Sequence, residues 1–305
     1  MNTAVNLAGI KMKNPVTVAS GTFGYGREFS NFFDLSKLGG IITKGTSLKP
    51  KSGNKPSRVY ETPSGMLNSI GLQNPGVEYF AQNDLPFLKK FNTAIIVNAC
   101  GSSIEEYVEL CKVLNKLDID GVELNLSCPN VKAGCMAFGN TYEGVKQVTS
   151  EVRKVLDKPL IVKLTPNVTD IASIAKAVED AGATGFTMIN TLVGTRYNLQ
   201  TRQPILANGV GGMSGPAIFP VALKLIRQVA QQSSLPIIGM GGVDSATAAL
   251  EMMIAGASAI GIGTANFTDP FACPKIIDEL PNVMDKYGIT DLVSFVKDCQ
   301  EEIRG

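Results

Sequence analysis

The chain is expected to be an α/β protein, a (β/α)8 TIM barrel with long rim insertions after strands 2 and 6, and three observations carry that expectation. Short β-type runs recur eight times along the 305 residues. Amphipathic helical stretches separate most of them. Where each run ends, the next residues are polar or glycine, as the functional rim of a parallel barrel requires. The runs are Pro15–Ala19, Gly40–Lys44, Ala94–Asn98, Gly121–Leu126, Leu160–Leu164, Gly185–Ile189, Pro236–Gly239 and Ala259–Ile262.

The helices read as Ile104–Leu117, Tyr142–Leu156, Asp170–Ala181, Pro216–Gln231 and Ser245–Ala255, several of them opened by an acidic or hydroxyl cap or by a proline in the first turn. The phrases Asp180-Ala-Gly-Ala-Thr-Gly185 and Ile254-Ala-Gly-Ala-Ser-Ala259 suggest one helix-to-strand turn used twice. Two segments exceed ordinary loop lengths, Gly45–Thr93 and Thr191–Gly215. Both leave the predicted rim, so each is expected to build a lid or a pocket wall. No linker divides the chain, which is read as one domain spanning residues 1–305.

Composition narrows the chemistry. A net charge of +1 without a long basic run gives little pull toward nucleic acid or anionic lipid. The first fifteen residues lack both the apolar core of a signal peptide and the length of a membrane span, so a cytoplasmic protein is expected. The six cysteines show neither a CxxC pair nor zinc or iron–sulfur spacing, so neither disulfides nor bound metal are expected. The chain has no histidine. Proton transfer must therefore use Cys, Lys, Asp, Glu, Tyr or Ser.

The most telling stretch is Gly121-Val-Glu-Leu-Asn-Leu-Ser-Cys-Pro-Asn130. Its alternation turns Val122, Leu124 and Leu126 outward and Glu123, Asn125 and Ser127 into the barrel. Pro129 cannot donate to a ladder, so pairing ends near Cys128 and leaves its sulfur at the rim. An unpaired cysteine beside a strand is ordinarily a small buried hydrophobe; the polar neighbours are what favour a reactive one here. The following loop, Pro129–Gly139, carries Gly134 and Gly139 as flexing points of a small lid, and its Cys135 is read as a non-catalytic thiol.

Polar residues also close the other runs: Ser20, Lys44, Asn98, Lys163, Asn190 with Thr191, Gly241 with Gly242, and Gly263 with Thr264. Unsatisfied buried polar groups cost about 1–3 kcal/mol each, so a ring of them implies a polar ligand. The glycine-rich turns after the last two strands suit a phosphate, although either could be a tight turn alone. Lys44 and Lys163 end apolar strands and call for an anion or a catalytic role, a Schiff-base lysine being one alternative. The asparagines at 68, 98, 125 and 190 offer amides suited to a planar heterocycle, and singly each could be a turn residue.

Ala19-Ser-Gly-Thr-Phe-Gly24, Met66-Leu-Asn-Ser-Ile-Gly-Leu72, Asn125-Leu-Ser-Cys-Pro-Asn130, Val162-Lys-Leu-Thr-Pro-Asn167, Thr187-Met-Ile-Asn-Thr191, Gly211-Gly-Met-Ser-Gly-Pro216 and Gly239-Met-Gly-Gly242 together resemble the dihydroorotate dehydrogenases, most closely the class 1B catalytic subunits. The likeness covers almost the whole chain. It implies FMN at the rim, its phosphate on Gly241, Gly242, Gly263 and Thr264 with Gly215 nearby, and its ring and ribityl chain lined by Ser20, Lys44, Gly45, Asn98, Asn125, Lys163 and Ile189. It implies a substrate pocket at Lys44, Asn68, Ser69, Ile70, Gly71, Leu72, Asn125, Asn190 and Thr191. Cys128 would be the catalytic base and Lys163 would stabilise the reduced flavin. Gly45, where alanine is common, and the loop residues Ala133-Gly-Cys135 depart from the family pattern.

The resemblance further implies a homodimer joined to a second subunit carrying FAD and a 2Fe–2S cluster, a heterotetramer passing electrons to NAD. Neither nucleic acid nor membrane is expected as a partner. Three alternatives stay open: a stand-alone dimer using fumarate, a dihydropyrimidine reductase, and a phosphate-ligand sensor without turnover. An RNA dihydrouridine synthase is disfavoured by the absence of a basic surface.

Overall fold

The computed structural model describes residues 1–126 and 138–305. Eight parallel strands close on themselves: β1 (Val16–Val18), β2 (Gly40–Ile42), β3 (Ala94–Ala99), β4 (Gly121–Asn125), β5 (Leu160–Lys163), β6 (Gly185–Met188), β7 (Ile237–Met240) and β8 (Ala259–Ile262). The closing contact sets Ile260 of β8 beside Val16 of β1. Every predicted run overlaps one barrel strand. The strands are short and nearly all buried, because helices cover their outer face and side chains fill the inner one.

Register decides which residues look inward. Asn98 stands opposite Glu123, Asn125 opposite Lys163, and Lys163 opposite Thr187, so these polar side chains share the inner wall. Val122 and Leu124 point the other way, into the layer of helices, as their alternation predicts. At the N-terminal end an antiparallel hairpin, Val5–Leu7 with Ile10–Met12, covers the barrel bottom. Ile10 there reaches to 2.8 Å from the place a Cβ on Gly121 would take.

The five predicted helices are found within a turn at each end: α1 (Ile104–Asn115), α2 (Tyr142–Arg153), α3 (Ile171–Asp180), α4 (Phe219–Ala230) and α5 (Ala246–Ile254). Four start on side-chain caps, in which Ser103, Thr141, Asp170 and Ser245 accept from backbone N–H groups of their own first turns. The repeated turn is real. Gly182 and Gly256 both take positive φ, and the following alanines donate back to Val178 and Met252 in the same six-to-one closure. Each turn then delivers its chain into the sheet, at β6 and β8.

Two further helices, α6 (Ala272–Lys286) and α7 (Leu292–Arg304), finish the chain. Sequence patterning passes over them. α6 carries Pro281 in its interior, and buried Ile276, Leu280 and Met284 hold the helix against the barrel.

The two long excursions meet. Val59–Thr62 and Gly65–Asn68 come from the first, Leu192–Gly194 and Gly211–Ser214 from the second, and they join as one four-stranded antiparallel sheet. The join pairs Met213 with Leu67. Each excursion is expected from sequence to build a lid or a pocket wall; joined, they form one roof, in which each hairpin supplies the partners the other lacks.

Candidate active site

A cavity of about 610 Å³ opens at the C-terminal ends of the barrel strands, between the barrel floor and the excursion sheet. The floor comes from strand ends. Ser20 follows β1, Lys44 follows β2, Asn98 and Asn125 close β3 and β4, and Lys163 closes β5. Burial there is severe: Asn98 is 0% and Lys163 is 4% exposed.

These polar groups hold one another. Lys163 Nζ donates to Ser20 Oγ at 3.2 Å, and among the described residues it makes no ion pair. Asn98 donates its Nδ2 to Glu123, one layer deeper in the barrel. Asn98 Oδ1 accepts from Asn125 Nδ2 at 3.2 Å and from Cys100 Sγ at 3.1 Å. Tyr107 Oη donates to the backbone carbonyl of Asn125 at 2.7 Å, fixing the end of β4. Such a buried network restricts how each of its side chains can turn.

Lys44 is half-buried, and burial with the Arg58 guanidinium lowers its pKa from the usual lysine value, while Glu28 opposes the shift. Among the described residues no carboxylate pairs with it. An anion delivered by a ligand would remove that penalty.

Across the cavity, Asn68, Ile70, Gly71 and Leu72 reach in from the first excursion and Asn190 with Thr191 from the second. Thr191 N donates to Asn190 Oδ1 at 2.8 Å, which fixes that amide beside the cavity. Ser69 is different. It is fully buried, does not line the cavity, and receives Asn54 Nδ2 on its hydroxyl at 3.1 Å. The cause is the extended backbone: alternate residues face opposite sides, so a run from Asn68 to Ile70 cannot present all three inward.

The wall near β7 and β8 is glycine-lined. Gly241 and Gly242 take φ of 124° and 80°, which a side chain would resist. Gly263 is the more telling position. Its backbone is ordinary, and an added Cβ would meet only Ala19 at 3.5 Å and Thr22 at 3.9 Å. Neither packing nor backbone therefore demands glycine at 263; the missing side chain leaves cavity space for a ligand. Thr264 Oγ1 donates to Ser214 Oγ at 2.8 Å, and Gly215 and Ile189 complete this end. Gly45 is packed: a Cβ there would lie 2.7 Å from Cys100 Sγ.

Of the residues expected at the site, the cavity thus gathers all except Ser69, among those described. Cys128 and Cys135, with the rest of the stretch 127–137, lie outside the described residues. Sequence reasoning missed Met66, Gln73, the turn Thr62–Gly65, and Ser214, all of which line the cavity. Their signals were the position of all of them inside excursions suspected of forming a wall and, for Met66 and Ser214, membership of motifs that carry the resemblance. Cys111 and Cys273 are core residues, each thiol pushed up to about 12 by burial. They have no path to this chemistry.

A family model described as dihydroorotate dehydrogenase matches residues 2–284. The chain is similar to the dihydroorotate dehydrogenase B (NAD(+)) catalytic subunit of Streptococcus pneumoniae, at 55% identity over 98% of this chain and 98% of that protein. It is equally similar to the subunit of that name from Enterococcus faecalis, 55% identical over 98% and 96% of the two chains. The Anoxybacillus flavithermus protein of the same name is 55% identical over 93% and 92%.

Proposed function

The chain belongs to the dihydroorotate dehydrogenase family, and from that premise we propose how its cavity oxidises dihydroorotate to orotate, a step of pyrimidine synthesis with NAD as final electron acceptor. The observation that carries the assignment of roles is the pairing of two lysines that lack carboxylate partners among the described residues, Lys44 and Lys163, with a row of amides on one cavity floor. That combination suits an anionic substrate and a planar heterocyclic cofactor together.

FMN fits the space. Gly241, Gly242, Gly263 and Thr264 with Gly215 would hold its phosphate, and Ser20, Lys44, Gly45, Asn98, Asn125, Lys163 and Ile189 would line the ring and ribityl chain. The Cβ-free space at Gly263 supports this placement. Bound there, FMN supplies the hydride acceptor, a chemistry that no protein side chain offers.

The remaining work belongs to the chain. Lys44 places its ammonium against the substrate carboxylate, and Asn68, Asn125 and Asn190 orient the pyrimidine ring by its N–H and C=O groups. Cys128 takes the C5 proton while C6 gives up hydride. A free thiol has a pKa near 8.5, so oxidation speeds up as pH rises toward that value unless the pocket shifts it. Lys163 puts a fixed positive charge on the floor, where negative charge develops during reduction.

Electrons leave through another chain. We assign a second subunit carrying FAD and a 2Fe–2S cluster, joined to a homodimer of this one as a heterotetramer; the words "catalytic subunit" in the relatives' names support a division of labour. The test is NADH formation from dihydroorotate by the purified chain with and without the co-expressed second subunit. Turnover only with both supports the reading; rapid turnover with fumarate by this chain alone would replace it with the stand-alone alternative.

A further inference from the structure

Glu123 has no part in the roles assigned so far, yet it lies inside the barrel directly under them. It is 0% exposed, on the inner face of β4, two residues before Asn125. One carboxylate oxygen accepts from Asn98 Nδ2; the other, Oε2, has no hydrogen-bond partner among the described residues. A buried carboxylate with one oxygen unpartnered costs the fold stability, so packing alone gives no reason for an acid at this position.

Its consequence lies one layer up. An asparagine amide has a donor end and an acceptor end of nearly the same shape, and it fits most sites either way round. A carboxylate offers acceptors only. Glu123 therefore turns Asn98 with Nδ2 downward and Oδ1 upward, toward Cys100 and Asn125. Asn125 must answer with its own Nδ2, at 3.2 Å. Its Oδ1 is thereby turned away from Asn98. The donor and acceptor order of the two amides that line the cavity floor is set by a side chain that does not itself line the cavity.

We propose that Glu123 is a positioning residue that sets the hydrogen-bonding polarity of the Asn98–Asn125 pair. This rests on the reading that those two amides face flavin and substrate. The deciding variant is Glu123→Gln, which keeps the shape, removes the charge and lets Asn98 sit either way. The purified protein is titrated with orotate while its visible flavin spectrum is followed, and its flavin content and melting temperature are measured alongside.

Glu123→Gln is expected to keep its flavin and to melt no lower than the parent, since an incompletely paired buried charge has gone. Half-saturation should nevertheless need about tenfold more orotate, the size of one misdirected hydrogen bond. A second variant, Glu123→Met, removes the acceptor altogether with a side chain that suits the buried site. Its orotate affinity should fall by a similar factor while its flavin content holds. The inference is overturned if either variant binds orotate as the parent does. If Glu123→Gln fails to fold, Glu123→Met decides alone, weakened affinity supporting the inference and parent-like affinity refuting it. A parent protein whose flavin spectrum ignores orotate would instead refute the site reading itself.

Discussion

Floor and roof of the cavity are built on opposite terms. The floor is made of strand ends, its side chains are buried, and they hydrogen-bond to one another: Asn98 to Glu123 and Asn125, Lys163 to Ser20. The roof is made of two excursions that meet through one antiparallel ladder, and Val59 and Val193 on it remain 45% and 48% exposed. Moving the floor would strand buried polar groups, whereas moving the roof breaks a short ladder in contact with water. On the proposed reading, the first suits a fixed cofactor and the second an exchanging substrate.

The largest effect is expected at the proposed base. Cys128→Ala is expected to keep its flavin and orotate binding but to slow reduction by dihydroorotate by about 10² to 10⁴, the usual contribution of a positioned base. Stopped-flow bleaching near the parent rate would remove Cys128 from that role.

Lys44 gives a smaller effect with a sign that can be worked out. Its folded pKa lies below the unfolded value, so the protonated ammonium costs stability in the ligand-free protein. That cost disappears as pH rises through the lowered pKa toward the usual 10.5. Affinity for a substrate carboxylate runs the other way, falling as Lys44 loses its proton. Lys44→Met should weaken orotate binding about tenfold and flatten this alkaline limb. An unchanged pH profile would place the carboxylate elsewhere.

At the roof, Gly65 has φ of 152°, and a Cβ on it would lie 1.9 Å from the Ser214 carbonyl oxygen, across the join of the two excursions. Gly65→Ala should raise KM about threefold to tenfold while flavin content holds, a cost of the order expected for local backbone strain. Loss of flavin instead would mean that the shift extends to Gly215, 3.2 Å from the added Cβ and placed beside the proposed phosphate site. The smallest effect is expected at Ser69. Because it turns away to Asn54, Ser69→Ala should change KM by less than about twofold. A large rise would show that the hydroxyl reaches the substrate after all.

The same contrast explains what could be read from residues alone. Floor positions follow from alternation along single strands, so Asn98, Asn125 and Lys163 are legible at their strand ends. The roof depends on pairing between segments far apart in the chain, as between Leu67 and Met213, and no local pattern announces such a partner. Ser69 is misplaced for a related reason: Met66-Leu-Asn-Ser-Ile-Gly-Leu72 reads as one block, although an extended chain splits such a block between two faces. The alternation turns Glu123 inward, but its orphaned oxygen and its hold on Asn98 depend on cross-strand register. Helix α6, which the sequence reading passes over, keeps Pro281 in its interior because burial of its neighbours overrules the local penalty.

The most direct test of the account is an anaerobic titration of the purified chain with dihydroorotate, followed in the visible spectrum. A yellow protein should bleach to completion at one dihydroorotate per flavin and release an equal amount of orotate. A colourless protein, or a yellow one that dihydroorotate leaves unbleached, would contradict it.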